Sequence, residues 1–285
     1  MKKKKITVVG FLNYRRPKCD GQTVKSRNIY SLLAERLPKD KASLSYCDTS
    51  DFKISKMALF GMIRKTLSSD TVIIIPADNS LTYYFPFIYL MSFIFRYDIM
   101  HICVGGWQVE YFEKHPVICR FSKKIKAIFP QVPNTDNALR EKLGFTNSYL
   151  LNNFRITDFK PDIANRNGDC LKIVFMSRVT KMKGLDIVFK IADHIAEHAK
   201  GRATIDFYGA TYDADEAYFF ENVAKYDFVT YNGMLQPAEI YAALSRYDIL
   251  VLPTYYDEGF PGAVLDRSEE RRVGKECRSR WSPYH

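Results

Sequence analysis

DILVLPTYYDEGFPGAVLD, residues 248–266, is the stretch from which the fold is read. Ile249 to Leu252 form a continuous apolar run closed by Pro253, the pattern of a buried strand. A short loop follows and delivers a carboxylate, Glu258. Gly259, Pro261 and Gly262 keep the next turn free of bulk, so a ligand can approach the backbone. Ala263, Val264 and Leu265 then open a helix. Asp266 stands eight positions after Glu258, about two helical turns on, which lets both acids point toward one cleft. In open α/β sheets that cleft lies at the carboxyl ends of the strands.

Working outward, the preceding hundred residues repeat the same grammar. Residues 171–176, LKIVFM, read as a strand. Residues 177–184, SRVTKMKG, join it to a helix over 185–198, so Arg178 and Lys183 sit at a helix N-terminus, where a guanidinium and an ammonium make a phosphate clamp. Residues 203–208 and 228–231 read as strands, with helices over about 215–225 and 237–247; Asn232 and Gly233 leave the second of these strands. Strand and helix alternate four times, which predicts a doubly wound parallel sheet.

The first half begins with a strand over 5–12, KITVVGFL. A polar loop ending in Gly21 and a helix over 22–37 follow. Strand, glycine and helix N-terminus together suit an anion. Further strands are expected at 43–46, 70–76, 99–104, 126–129 and 147–151, with helices at 55–67 and 134–143. The strand at 99–104 contains His101 and runs into Gly105, Gly106 and Trp107, whose ring can stack on a sugar or pack in the core. Residues 81–95, LTYYFPFIYLMSFIF, are the most apolar of the chain. They are too short for a bilayer span and are interrupted by Pro86. A helix buried against the sheet is the simpler expectation, and a membrane-facing helix the alternative. Polar residues 157–169 mark a linker.

Composition fits a globular protein: 47% hydrophobic, with a formal charge of +10. A positive balance suits a phosphate-bearing substrate or an anionic membrane surface, and no zinc-knuckle or helix-turn-helix signature points to nucleic acid. The cysteines are scattered without a C-x2-C pair, so neither a disulfide framework nor a zinc site is expected, and free thiols fit a cytoplasmic location. The lysines at 2–5 precede an apolar run too short for a signal peptide. His194 and His198 have i, i+4 spacing but no third ligand, and Asp213-Ala214-Asp215 falls at a helix start; no metal is expected.

Glu258-x7-Asp266, Arg178 with Lys183-Gly184, and the strings GGW and DGQTVK resemble family 4 glycosyltransferases, retaining enzymes of GT-B fold, in particular those of bacterial capsule and exopolysaccharide synthesis. Asp266 shortens the family's second glutamate, Ser177 replaces a usual glycine, Gly21 is one of a frequent pair, and Asn152 stands for the proline of a domain-closing Pro-Asn-Phe string. The resemblance implies two Rossmann-like domains facing a cleft. An acceptor domain is expected over 1–156, a linker over 157–170 and an incomplete nucleotide-sugar domain over 171–266. It implies catalytic roles for Glu258, Arg178 and Lys183, and donor binding by Arg178, Lys183, Asn232, Gly233, Glu258, Gly259, Asp266 and Gly21. His101, Gly105, Gly106 and Trp107 are its acceptor-side candidates. The reaction implied is retaining transfer of a sugar from a nucleotide sugar to a glycan or lipid-linked glycan, without a metal cofactor. The site would be cytoplasmic, with peripheral contact to the anionic inner face of the plasma membrane as an option. A GT-B sugar-nucleotide epimerase and a non-catalytic nucleotide-sugar-binding fragment are the rival readings.

After Asp266 the periodicity stops. RSEERRVGKEC, residues 267–277, matches residue for residue the in-frame translation of a common short-read sequencing adaptor. The segment 267–285 is therefore read as non-native, and the chain as written is expected to be poorly soluble and inactive. The segment carries six Lys or Arg and three Glu, so without it the formal +10 falls to +7.

Overall fold

The computed structural model describes residues 3–15, 21–53, 55–76, 78–157, 159, 169–255 and 261–270. It divides into two compact units, one built on Met1–Ile156 and one on Thr157–Tyr256 with the residues from Pro261 onward.

The N-terminal unit holds a five-stranded sheet of order β2-β1-β3-β4-β5. Its strands are β1 (Lys4–Gly10), β2 (Ala42–Asp48), β3 (Thr71–Ile75), β4 (Asp98–Ile102) and β5 (Ala127–Phe129), all paired in parallel. The central strand β3 is buried at every position, as a parallel strand covered on both faces must be. The helices are α1 (Gly21–Arg36), α2 (Lys56–Leu67), α3 (Asp78–Tyr83), α4 (Phe85–Phe95), α5 (Gln108–Lys114), α6 (Pro116–Ser122) and α7 (Pro133–Glu141). Ser55 caps α2 by accepting from the Met57 amide at 3.1 Å. One core layer gathers Val72, Ile74, Phe85, Ile88, Ile99, Phe112 and Leu139. The opposite layer gathers Val8, Ile29, Ile73, Ile75 and Ile102.

The C-terminal unit holds a four-stranded parallel sheet of order β8-β7-β6-β9. Its strands are β6 (Leu171–Met176), β7 (Ala203–Tyr208), β8 (Val229–Tyr231) and β9 (Ile249–Val251). The helices are α8 (Leu185–His198), α9 (Asp213–Val223), α10 (Ile240–Leu244) and α11 (Gly262–Glu270). Leu185, Val188, Phe189, Ala192 and Ile195 give α8 one buried stripe, which meets Ile173, Phe175, Ile205 and Phe207 of the sheet.

Several expectations are corrected. The apolar stretch 81–95 is two helices, because Pro86 sits in the first turn of a new one; α4 buries only one side. Residues 147–151 form no strand: a single bridge, Ser148 to Ile128, replaces it. The helix expected from Pro237 begins only at Ile240. β9 is an edge strand with Ile249 41% exposed, rather than a buried one. The segment 108–122 contributes two short helices that hydrophobic periodicity alone does not reveal. Helix α11 continues past Asp266, and the Arg267 guanidinium donates to the carbonyls of Tyr247 at 3.0 Å and Asp248 at 3.1 Å.

Candidate functional site

In the C-terminal unit the loops after β6, β7, β8 and β9 are laced together by backbone. The Ser177 amide donates to Tyr208 O at 3.1 Å and the Val179 amide to Ala210 O at 2.9 Å. Gly209 lies where these loops cross: its amide donates to Gly233 O at 2.8 Å, and a Cβ there would stand 1.7 Å from Ser177 O. Its φ is +143°, so no L side chain fits on either count. The Asn232 amide donates to Phe207 O at 2.9 Å, which holds the Asn232-Gly233 corner at the same edge of the sheet.

The β6 and β9 loops meet at Gly184. A Cβ on Gly184 would lie 2.1 Å from Pro253 O, and its φ is +82°. The Tyr255 amide and the Thr254 hydroxyl both donate to Met182 O, and the Tyr255 hydroxyl donates to Asp186 Oδ2 at 3.0 Å. The Lys183-Gly184 corner and the start of the loop that carries Glu258 are therefore one structure. It sits between β6 and β9, where the strand order reverses, the customary ligand position in such sheets.

Lys183 is nearly buried here, and burial, with the Arg178 guanidinium nearby, lowers its ammonium to about 8. Arg178 is exposed. Lys181, the other loop cation, is turned away: its ammonium lies 4.3 Å from the centre of the Tyr218 ring, and its amide donates to Asp215 Oδ2 at 2.9 Å. Asp215, of the discounted Asp-Ala-Asp string, thus props this loop. Two cations at the mouth of α8, one buried and one exposed, can take the charge of a diphosphate.

Residues 157–267 match the family model described as Glycosyl transferases group 1. This glycosyltransferase group 1 domain includes every strand of the C-terminal sheet and the Arg178–Lys183 loop. Solved structures resemble the chain over most of its length. Alr3699/HepE of Anabaena, in complex with UDP and glucose, gives a TM-score of 0.66 at 12% identity, covering 93% of this chain and 78% of that one. The lipopolysaccharide outer core galactosyltransferase WaaB, in its apo form, gives 0.59 at 14%, covering 92% and 77%. The catalytic domain of starch synthase IV of Arabidopsis thaliana, bound to ADP and acarbose, gives 0.62 at 9%, covering 95% and 82%. At such identities the likeness is one of fold, the α/β parallel-sheet fold of GT-B glycosyltransferases. No curated protein matches the chain in sequence.

Among the site candidates, the structure brings Arg178, Lys183, Asn232 and Gly233 to the carboxyl edge of the C-terminal sheet. Glu258 and Gly259 lie outside the described residues. Asp266 is largely buried in α11, where the Tyr241 hydroxyl donates to its Oδ1 at 3.4 Å.

In the N-terminal unit, Gly21 is the exposed first residue of α1. Gly105 and Gly106 follow β4, and Trp107 packs edge-on against Tyr111 at 5.2 Å. His101 is wholly buried, with neither ring nitrogen hydrogen-bonded among the described residues, and burial lowers its imidazole to about 3. That burial supports the core-residue reading over contact with an acceptor.

Lys25 is the residue the sequence reading missed. It is fully buried, and its ammonium donates to Cys103 O at 3.0 Å, beside the side-chain amide of Gln131, which donates to the same carbonyl. Burial brings it down to about 8; the Cys103 thiol opposes this shift and the Arg155 charge adds to it. Its place in the DGQTVK string four residues after Gly21 was the available signal.

Proposed function

We propose that the chain is a retaining glycosyltransferase that moves a sugar from a nucleotide-sugar donor to a hydroxyl of a glycan or lipid-linked glycan. We place it at the cytoplasmic face of a membrane, in bacterial cell-surface polysaccharide synthesis. The observation that carries the reading is the Arg178–Lys183 loop at the switch point of a glycosyltransferase group 1 domain. Lys183 and Arg178 would hold the donor diphosphate and stabilise the charge that builds on it as the glycosidic bond to the nucleotide breaks. The Asn232-Gly233 corner lies on the same strand edge and would border the base. Glu258 and Gly259 would meet the sugar, and Asp266 the ribose. The two cations do the work a divalent ion does elsewhere, so no metal cofactor is invoked.

The test is turnover of a panel of UDP-, ADP- and GDP-sugars with lipid-extract acceptors, read by nucleoside diphosphate release and by the anomeric configuration of the product. Acceptor-dependent release with retained configuration, undiminished by a chelator, is the expected result, and it would overturn the sequence-based expectation that the chain as written is inactive. Conversion of the donor sugar without acceptor would replace transfer by epimerisation. Inverted product, or release from no donor, would sink the proposal.

A further inference from the structure

We infer that the outer face of α4 with the adjoining α2 docks on an anionic lipid surface. Helix α4, FPFIYLMSFIF, contains no charged residue. One side, Phe85, Ile88 and Tyr89, is buried. The other, Phe87, Leu90, Phe93, Ile94 and Phe95, is exposed, with Phe93 and Ile94 each at 66%. Helix α2 packs against α4 and adds Met57 at 73% and Phe60 at 63%. Large aromatic and aliphatic side chains gathered on two adjacent helices exceed the scattered apolar exposure of an ordinary surface. The polar groups nearby turn inward: the Ser92 hydroxyl donates to Tyr89 O at 2.6 Å and the Tyr97 hydroxyl to Ile88 O at 2.6 Å. These two hydroxyls are therefore spent inside the protein, and the outer side of α4 itself is apolar from Phe87 to Phe95.

Charge selects the occupant. Arg96 terminates α4 and is exposed. Helix α6 packs on α4 through Tyr89 stacked on Phe121 at 4.4 Å, and brings exposed Arg120, with exposed Lys124 just beyond it. None of these three cations has an ion-pair partner among the described residues, whereas Lys126 pairs with Asp98, and Lys114 with Glu110. Apposing a second copy symmetrically would bring the same cations together. An anionic bilayer takes both the apolar residues and the cations. No described helix is long and apolar enough to cross a membrane, so the contact is peripheral. The inference rests on the glycosyltransferase reading only for its purpose, bringing the chain to a lipid-linked acceptor.

The experiment is co-sedimentation of the full chain with phosphatidylcholine vesicles, with and without about one-third phosphatidylglycerol. Nucleoside diphosphate binding is measured on the same preparations. Wild type is expected to bind the anionic vesicles, and to be released by salt. The double variant Phe93→Ser, Ile94→Ser should bind at least about tenfold more weakly. Arg96→Glu with Arg120→Glu should abolish the preference for anionic lipid while keeping the same thermal midpoint. Wild type that stays in solution, a serine variant that binds as wild type does, or a dimer that the serine variant dissociates would overturn the assignment. Vesicle binding without nucleotide binding would leave the face assigned and remove the glycosyltransferase reading; the converse would remove only the face.

Discussion

Lys183 and His101 are both lowered by burial, in surroundings that give the shift different consequences. Lys183 has a charged neighbour and a place at a helix mouth, so its lowered value near 8 is a property of a site. As pH rises through about 8 the free protein loses this positive charge. The kcat/KM for donor should therefore fall on the alkaline side, since that parameter follows the free protein. Lys183→Arg, whose guanidinium does not titrate in this range, should remove that limb, at a lower plateau because the two cations differ in shape. An unchanged alkaline limb in the arginine variant would assign it to another group. His101 has no charged neighbour among the causes of its shift and no bonded partner among the described residues, so its lowered value near 3 is a cost of folding. Between the ordinary value of 6.5 and about 3 only the unfolded chain takes up a proton there, and stability falls as pH drops through that window. His101→Leu should recover about 2 kcal/mol at pH 5 relative to wild type, measured by denaturant unfolding. The same acid slope in both proteins would show that the buried imidazole is not its source.

Elements were legible where periodicity was strong and local. The bounds of β6, β7 and α8 follow directly from LKIVFM, ATIDFY and the stripe of α8. The strand expected at 147–151 stops at one bridge because Pro130, next in register after Ile128, has no amide to donate: the Tyr149 amide reaches Ile128 O and the Leu151 amide Pro130 O, each at 2.9 Å, but the return bond from residue 130 is missing. Ahead of α10 the chain makes one turn first: the Glu239 amide donates to Gln236 O at 2.9 Å and the Glu239 carboxylate accepts from the Gln236 amide at 2.8 Å. At the site, Arg178 and Lys183 were visible as a spaced pair. The roles of Gly209 and Gly184 were not, because only the folded chain brings Ser177 O and Pro253 O against them. Gly209→Ala combines a backbone collision with a φ that alanine disfavours, and should cost at least about 3 kcal/mol. Gly233→Ala at the same corner meets no atom within 4 Å and should pay only for its positive φ of 72°. Thermal unfolding of the two variants checks the ordering; equal losses would show that the loop crossing at Gly209 yields freely.

Across the whole molecule, two parallel sheets place their proposed chemistry on carboxyl edges. The C-terminal unit carries the part of the account closest to reaction chemistry: the group 1 domain, the switch point between β6 and β9, and the cation pair. The N-terminal unit carries the Lys25–Cys103 contact and the apolar face of α4. The most direct measurement is calorimetric titration of the chain with UDP, ADP and GDP in turn, repeated on Lys183→Ala. The account predicts that at least one nucleoside diphosphate binds and that Lys183→Ala weakens it by roughly 10- to 100-fold, the loss of a charge-assisted contact of about 1.5–3 kcal/mol. No binding by any of the three, or binding indifferent to Lys183→Ala, would contradict it.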